Sequence, residues 1–231
     1  LPFETYLELA MKYKDFGRET EAVEVLKLAP ETPVVLLWLA HLEEKEASVN
    51  LEKALAMSAE MVFPHRVESV EMLHGFIANN DHWKLKYYLA LIYWNKGLLA
   101  KAQDLIQQCQ NEPDEVIFYL TKAEMFSDDD SVIDQSLDRA YEIDSSNWRL
   151  NMTKMERDLS KNNFEAARKL SKKYMKLYPD KSRFGMNYAK SLMGLESYEK
   201  CISFLNNLNV LPYEHATYGR VIYHKAGIQA A

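Results

Sequence analysis

Along most of the chain, apolar residues recur at spacings of three and four, the mark of helices with one face buried. They come in paired runs. Each first run sets a large residue, a small one and a second large or aromatic residue within two turns. Each second run sets another small residue against them. Tyr6, Leu9, Ala10, Tyr13, Gly17, Ala22, Leu26 and Ala29 occupy these places in order. The set recurs as Leu89, Ala90, Tyr93, Gly97, Ala102, Ile106 and Cys109, and again as Tyr188, Ala189, Leu192, Cys201, Leu205 and Leu208. Weaker copies lie between, first Leu120, Thr121, Glu124, Ile133, Leu137 and Ala140, then Met155, Ala167, Tyr174 and Pro179. Thr121, Met155 and Ala189 step by 34 residues, and so do Ala167 and Cys201. A fixed period of that length predicts stacked antiparallel helix pairs, each burying one face alone and needing a neighbour to cover the other.

One unit departs from the pattern. Leu39 and Ala40 begin it, but Ala47, Leu51 and Ala54 arrive about five residues early, which predicts a short connection inside the pair. After Phe63-Pro64, the positions Val67, Val70, Leu73, Phe76 and Ile77 have helical spacing and predict an extra helix over Arg66–Ala78. Asp15-Phe16-Gly17, Asn95-Lys96-Gly97 and Asn162-Asn163 read as turns within pairs, Pro113 and Pro179 as boundaries between them. Ser131 and Ser182 are candidate N-caps.

These residues resemble the tetratricopeptide repeat (TPR) family, with roughly six units covering nearly the whole chain. The resemblance implies an all-α fold, a right-handed α-α superhelix of about six helix pairs plus one extra helix. No linker rich in Gly, Ser or Pro interrupts it, so residues 1–231 are expected to form a single TPR-like α-solenoid domain. The chain begins without Met and stops inside an unfinished helical pattern, so we expect a piece of a longer protein. A narrower likeness rests on Tyr6-Leu7-Glu8-Leu9-Ala10, Val62-Phe63-Pro64-His65-Arg66, His82-Trp83-Lys84 and Tyr93-Trp94-Asn95-Lys96-Gly97. These strings resemble the TPR region of large bacterial proteins in which the repeats follow an N-terminal β-sandwich domain similar to galactose mutarotase. That likeness implies a carbohydrate link through the parent protein.

In the family's architecture the first helices line a concave groove. The inner positions here are Leu37 and His41, then Tyr87, Leu91 and Trp94, then Phe118, Lys122 and Met125. Leu7 and Met11 precede them; Met152, Glu156, Met186, Lys190 and Met193 follow. Such an apolar-aromatic strip suits a protein partner or another domain of the same chain. The competing reading is plain inter-helix core, since both faces of a first helix are partly buried in a solenoid. Repeats of this family that clamp a C-terminal carboxylate use Lys and Asn there; Glu4, Leu7, Met11, Val34, Leu37 and His41 do not match.

Catalytic chemistry is not evident. The seven glycines are scattered and make no phosphate cradle. His41 with Glu44, and Glu71 with His74, lie one helical turn apart without a third ligand. Cys109 and Cys201 fall where the repeat needs a small buried side chain. His65, Arg66, His82 and Trp83 flank the extra helix and are candidates to face a ligand, a sugar under the narrower likeness. The alternative is a loop His and an interface Trp. The expectation is no enzyme, no cofactor and no metal. No apolar run is long enough to insert in a membrane.

Charge adds one feature. Residues 1–146 carry 13 Lys and Arg against 27 Asp and Glu, while residues 147–231 carry 15 against 7. Arg168, Lys169, Lys172, Lys173 and Lys176 concentrate the positive side on adjoining stripes of one helix. They form either a solvated face or a dock for an acidic surface. Nucleic acid is not expected, because the acidic remainder repels phosphates and no aromatic interleaves the basic face.

Overall fold

The periodic apolar runs are helices in the computed structural model, which describes residues 2–110, 112–208 and 216–230. Pairs form from α1 (Phe3–Asp15) with α2 (Glu19–Lys27) and from α3 (Pro33–Leu42) with α4 (Ala47–Ala56). The extra helix α5 (Ser69–Asn79) comes next. Then follow α6 (Trp83–Asn95) with α7 (Leu99–Gln108), and α8 (Val116–Met125) with α9 (Asp130–Ile143). The last pairs are α10 (Trp148–Ser160) with α11 (Phe164–Leu177) and α12 (Ser182–Gly194) with α13 (Tyr198–Asn206), before α14 (Ala216–Ala230). No strand occurs among the described residues. The fold class is therefore the predicted one: all-α, with six helix pairs of TPR-solenoid type.

Four of the six pairs share a turn. Gly17, Gly97, Asn162 and Glu196 all take positive φ, between 56° and 75°. The next residue's N–H then donates back to the first helix: Arg18 to Tyr13 O, Leu98 to Tyr93 O, Asn163 to Asp158 O and Ser197 to Leu192 O, at 2.8–2.9 Å. This left-handed C-cap satisfies orphan carbonyls at the helix end. Glycine adopts it freely, asparagine tolerates it, and Glu196 holds it against its side chain.

Small residues then let the paired helices approach. Ala10, Ala22, Ala90, Ala102, Ala167, Ala189 and Cys201 have no exposed surface. Both cysteines are buried thiols; burial pushes Cys109 up to about 12 and Cys201 upward as well.

Three local expectations need correction. In the second pair, α3 has ten residues where α1 has thirteen. Glu43 turns extended after it, and a short 3-10 turn, Glu44–Glu46, leads into α4. The early second helix thus follows from a shortened first helix rather than a shortened connection. Asp129, not Ser131, caps α9, its Oδ1 accepting from Ser131 N and Val132 N at 3.0 Å. Ser182 is itself the first residue of α12. Finally, α5 begins at Ser69, so Val67 lies ahead of it and is 55% exposed.

The chain divides into two compact units, Leu1–Ile143 and Asp144–Ala231. The first holds four pairs and α5 around an aromatic core. In the second, Met152, Met155, Tyr174 and Phe184 form one cluster. Ile222 and Ala226 of α14 pack with Ala189, Leu192 and Cys201 in another.

Candidate functional site

Five of the eight groove positions are core. Leu37, Tyr87, Leu91, Phe118 and Met125 are buried, which corrects their reading as surface for a partner. Tyr87 shows why. Its ring lies 5.9 Å from Trp83 and 5.7 Å from Phe118, and its hydroxyl shares a 3.0 Å hydrogen bond with Thr121 Oγ1. Burial raises that phenol to about 12, so it stays neutral. An aromatic cluster linking α6 and α8 is joining neighbouring pairs. His41 remains exposed, and Trp94 and Lys122 half-buried.

Part of the same face is covered by the chain's own excursion between α4 and α6. Its two ends are clamped together. Lys84 Nζ donates to Leu55 O (2.9 Å) and to Met57 O, and pairs with Glu115 Oε1 at 2.7 Å. Glu115 Oε2 accepts from Ser58 Oγ at 2.7 Å and from Ala59 N at 2.8 Å. Lys84 is almost wholly buried, and only such complete pairing makes a buried ammonium tolerable.

Beyond the clamp the chain reaches α1. There Arg66 Nε donates to Glu4 Oε2 at 3.0 Å, with His65 Nδ1 4.0 Å from Glu4 Oε1. The segment then returns as α5 against α3 and α6. Trp38 Nε1 donates to Ser69 Oγ at 3.2 Å, and the His41 ring stands edge-on to Phe76 at 6.4 Å. His74 Nε2 and Tyr93 OH share a 2.9 Å hydrogen bond. Partial desolvation by its neighbours, helped by the charge of Lys14, holds the His41 imidazole below its usual range although part of the side chain stays exposed. Only Ser69, Met72 and Leu73 of α5 are buried. On the outer side Phe63 is 60% exposed.

The four residues proposed to face a ligand fall in two places. His65 and Arg66 engage Glu4, as above. His82 caps α6, its Nδ1 accepting from Lys84 N at 3.1 Å, and its ring stacks on Trp83. Trp83 is buried edge-to-face against Phe118 at 5.6 Å, with Lys84 Nζ 5.4 Å from its ring centroid. No hydrogen bond, ion pair or ring contact among the described residues joins one pair to the other.

On α11, Arg168 pairs with Glu165 one turn back. Lys173 lies over the buried ring of Tyr174 at 5.2 Å. Lys169, Lys172 and Lys176 are exposed, and so is Leu177 at the end of the helix, at 59%. Among the described residues, no helix is long and apolar enough to cross a membrane, and no three His, Cys, Asp or Glu side chains gather as metal ligands.

Two residues that organise the site were missed by reading the repeats: Lys84 and Glu115. A signal existed. Lys84 and Lys86 interrupt Trp83–Trp94, a run otherwise apolar all round, where a charge must be paired.

No family model matches the chain, and no curated protein does. Solved structures do. The chain is similar to a tetratricopeptide repeat protein from Parabacteroides merdae ATCC 43184, at 12% identity over 99% of this chain and 86% of that one, with a TM-score of 0.53. The fold is of tetratricopeptide type. Looser overlays join it to a thermophilic TPR protein from Thermus thermophilus (14% identity, 98% and 99% covered, TM-score 0.34). Nearly identical TPR-like repeats from Podosopora anserina overlay more loosely still (15%, 99% and 97% covered, TM-score 0.22).

Proposed function

We propose that this chain is a non-catalytic protein-interaction scaffold module that works through the faces of its first helices. The observation supporting this reading is that these faces already hold a helix: α3 and α6 receive α5 side chain by side chain, and Glu4 of α1 takes Arg66. A protein partner, or another domain of the same polypeptide, engages the side chains left accessible there, His41, Trp94 and Lys122. A half-exposed Trp is the kind of anchor that carries interface energy. The proposal takes residues 1–231 as one interaction domain and invokes no cofactor, membrane insertion or nucleic acid.

The basic face of α11 is the second contact in this reading, a dock for an acidic protein surface. Exposed Lys169, Lys172, Lys173 and Lys176 supply the charge, and Leu177 adds exposed apolar surface at the end of the helix. The ring nearest them, Tyr174, is buried and offers no stacking platform to a base. A carbohydrate-binding role, suggested by the likeness to proteins with a galactose-mutarotase-like domain, would need His65, Arg66, His82 and Trp83 to converge. Their separate contacts lend it no support.

The test is calorimetric titration of the chain with a partner purified after cross-linking in the source cell, or with the parent protein's other domains. Trp94→Ser with Lys122→Glu should weaken binding by about tenfold or more while leaving Tm nearly unchanged. Undiminished affinity in that variant would refute the assigned face.

A further inference from the structure

We infer that residues 60–82 are a removable occupant of the interaction face, and that the seat of α5 is a binding site for an amphipathic helix of a partner, one carrying a basic residue just ahead of its first turn. This rests on the proposed interaction role and names the chemistry of its partner. Three observations carry it.

The excursion is closed at its base. Lys84 and Glu115 hold Leu55, Met57, Ser58 and Ala59 beside the start of α6 through hydrogen bonds that involve no residue of α5. The second pair therefore joins the third at this clamp whether or not the excursion is seated. Release of the excursion leaves this tie between the pairs in place.

The seat itself is thin. Ten residues of α6 and eight of α3 are buried, but three of α5. An element with few buried apolar side chains opens locally at a small fraction of the cost of global unfolding. Meanwhile Phe63 and Val67 stand in solvent at 60% and 55% exposure, so the seated state leaves apolar surface of the excursion unused.

The ties are directional, and they describe the ligand. Glu4 selects a cation three residues before the helix start, where Arg66 precedes Ser69. Trp38 Nε1 donates to a hydroxyl at the first residue of the helix, Ser69. His41 meets an aromatic two turns later, Phe76. Tyr93 takes a hydrogen-bonding side chain between them, His74. Arginine to carboxylate sets the register, and Met72, Leu73 and Phe76 supply the apolar face. A partner helix with that pattern replaces α5 residue for residue.

The experiment uses the full chain and a fluorescent peptide spanning residues 62–80. Arg66→Glu with Phe76→Ala in the chain loosens its own segment without touching the seat. Fluorescence anisotropy should show this variant binding the peptide about tenfold or more tighter than the unmodified chain, whose own segment competes at high effective concentration. Adding Glu4→Arg to a chain whose own segment instead carries Arg66→Ala and Phe76→Ala should abolish binding of the natural peptide and restore binding of a peptide carrying Arg66→Glu. A variant that keeps its helicity and Tm yet binds no peptide overturns the inference. So does one that melts throughout the first unit, because α5 is then integral to the fold. If the peptide fails but the partner titration above still depends on Trp94 and Lys122, this inference falls alone and the interaction role stands.

Discussion

The units Leu1–Ile143 and Asp144–Ala231 use one turn and two different cores. Both end first helices in the same left-handed cap, at Gly17 and Gly97 in one and at Asn162 and Glu196 in the other. The first fills its interior with Trp83, Tyr87, Tyr88, Phe118 and Tyr119; the second relies on Met152, Met155 and Met186 with Tyr174 and Phe184. A pair geometry set by small residues and a turn tolerates either filling, since volume and pattern matter more than identity. Two properties are not shared. Among the described residues only the first unit carries an excursion, and the charges oppose: 13 Lys and Arg against 26 Asp and Glu in the first unit, 15 against 8 in the second. The shared features build the fold, and the unshared ones are where the proposed functions lie.

Overfilling a close contact in each unit should have the largest effect. Ala90→Phe in the first and Gly194→Ala in the second should each cost about 1–3 kcal/mol or more. At Gly194 a Cβ would sit 2.3 Å from the Phe164 ring, which has no flexible end to yield. Thermal unfolding by circular dichroism measures both, and an unchanged Tm would place either residue outside its contact. Next in size is the charge difference. Reversing Lys169, Lys172 and Lys173 to Glu should weaken partner binding or self-association at 50 mM salt. It should have little effect at 500 mM, where screening shortens to about 4 Å. Sedimentation at both salts that matches the unmodified chain would leave α11 a solvated face.

Acid should loosen the excursion. His41 and His82 both lie below the usual imidazole range of 6.5, chiefly through burial, then through Lys14 and Lys84 respectively. Their neutral forms fit the folded state. The stability they contribute is full above the unfolded value and is lost as pH falls below 6.5 through the depressed folded values. Protection of the α5 amides, taken relative to their intrinsic exchange rates at each pH, should fall between pH 7.5 and 5.5, and His41→Gln should remove part of that dependence. A pH-independent rate of opening would count against the His41–Phe76 seat. Last and smallest, Glu196→Gly should stabilise the second unit by roughly 0.5–1 kcal/mol, by relieving a left-handed non-glycine residue. A lower Tm would show that the Glu196 side chain does more than occupy the turn.

Much of the fold was legible because a TPR-type pair writes itself locally. Ala10 to Ala22 and Ala189 to Cys201 repeat the same interval within one pair. The placement of the extra helix was not, because it depends on contacts such as Arg66 to Glu4, 62 residues apart, which periodicity does not encode. Groove and core could not be separated either. Tyr87 and Trp94 sit on the same apolar stripe of α6, and only the neighbouring helices decide which is covered. Local detail failed where several residues compete, as when three successive aspartates precede α9 and Asp129 takes the cap that Ser131 was expected to hold.

Whether α5 is seated or integral is read directly by native-state hydrogen exchange of the full chain. Amides of residues 69–79 should exchange about a hundredfold or more faster than those of α3 and α6, at a rate insensitive to low denaturant, as local opening requires. If α5 exchanges together with α3 and α6, only on global unfolding, the excursion belongs to the core and the removable occupant does not exist.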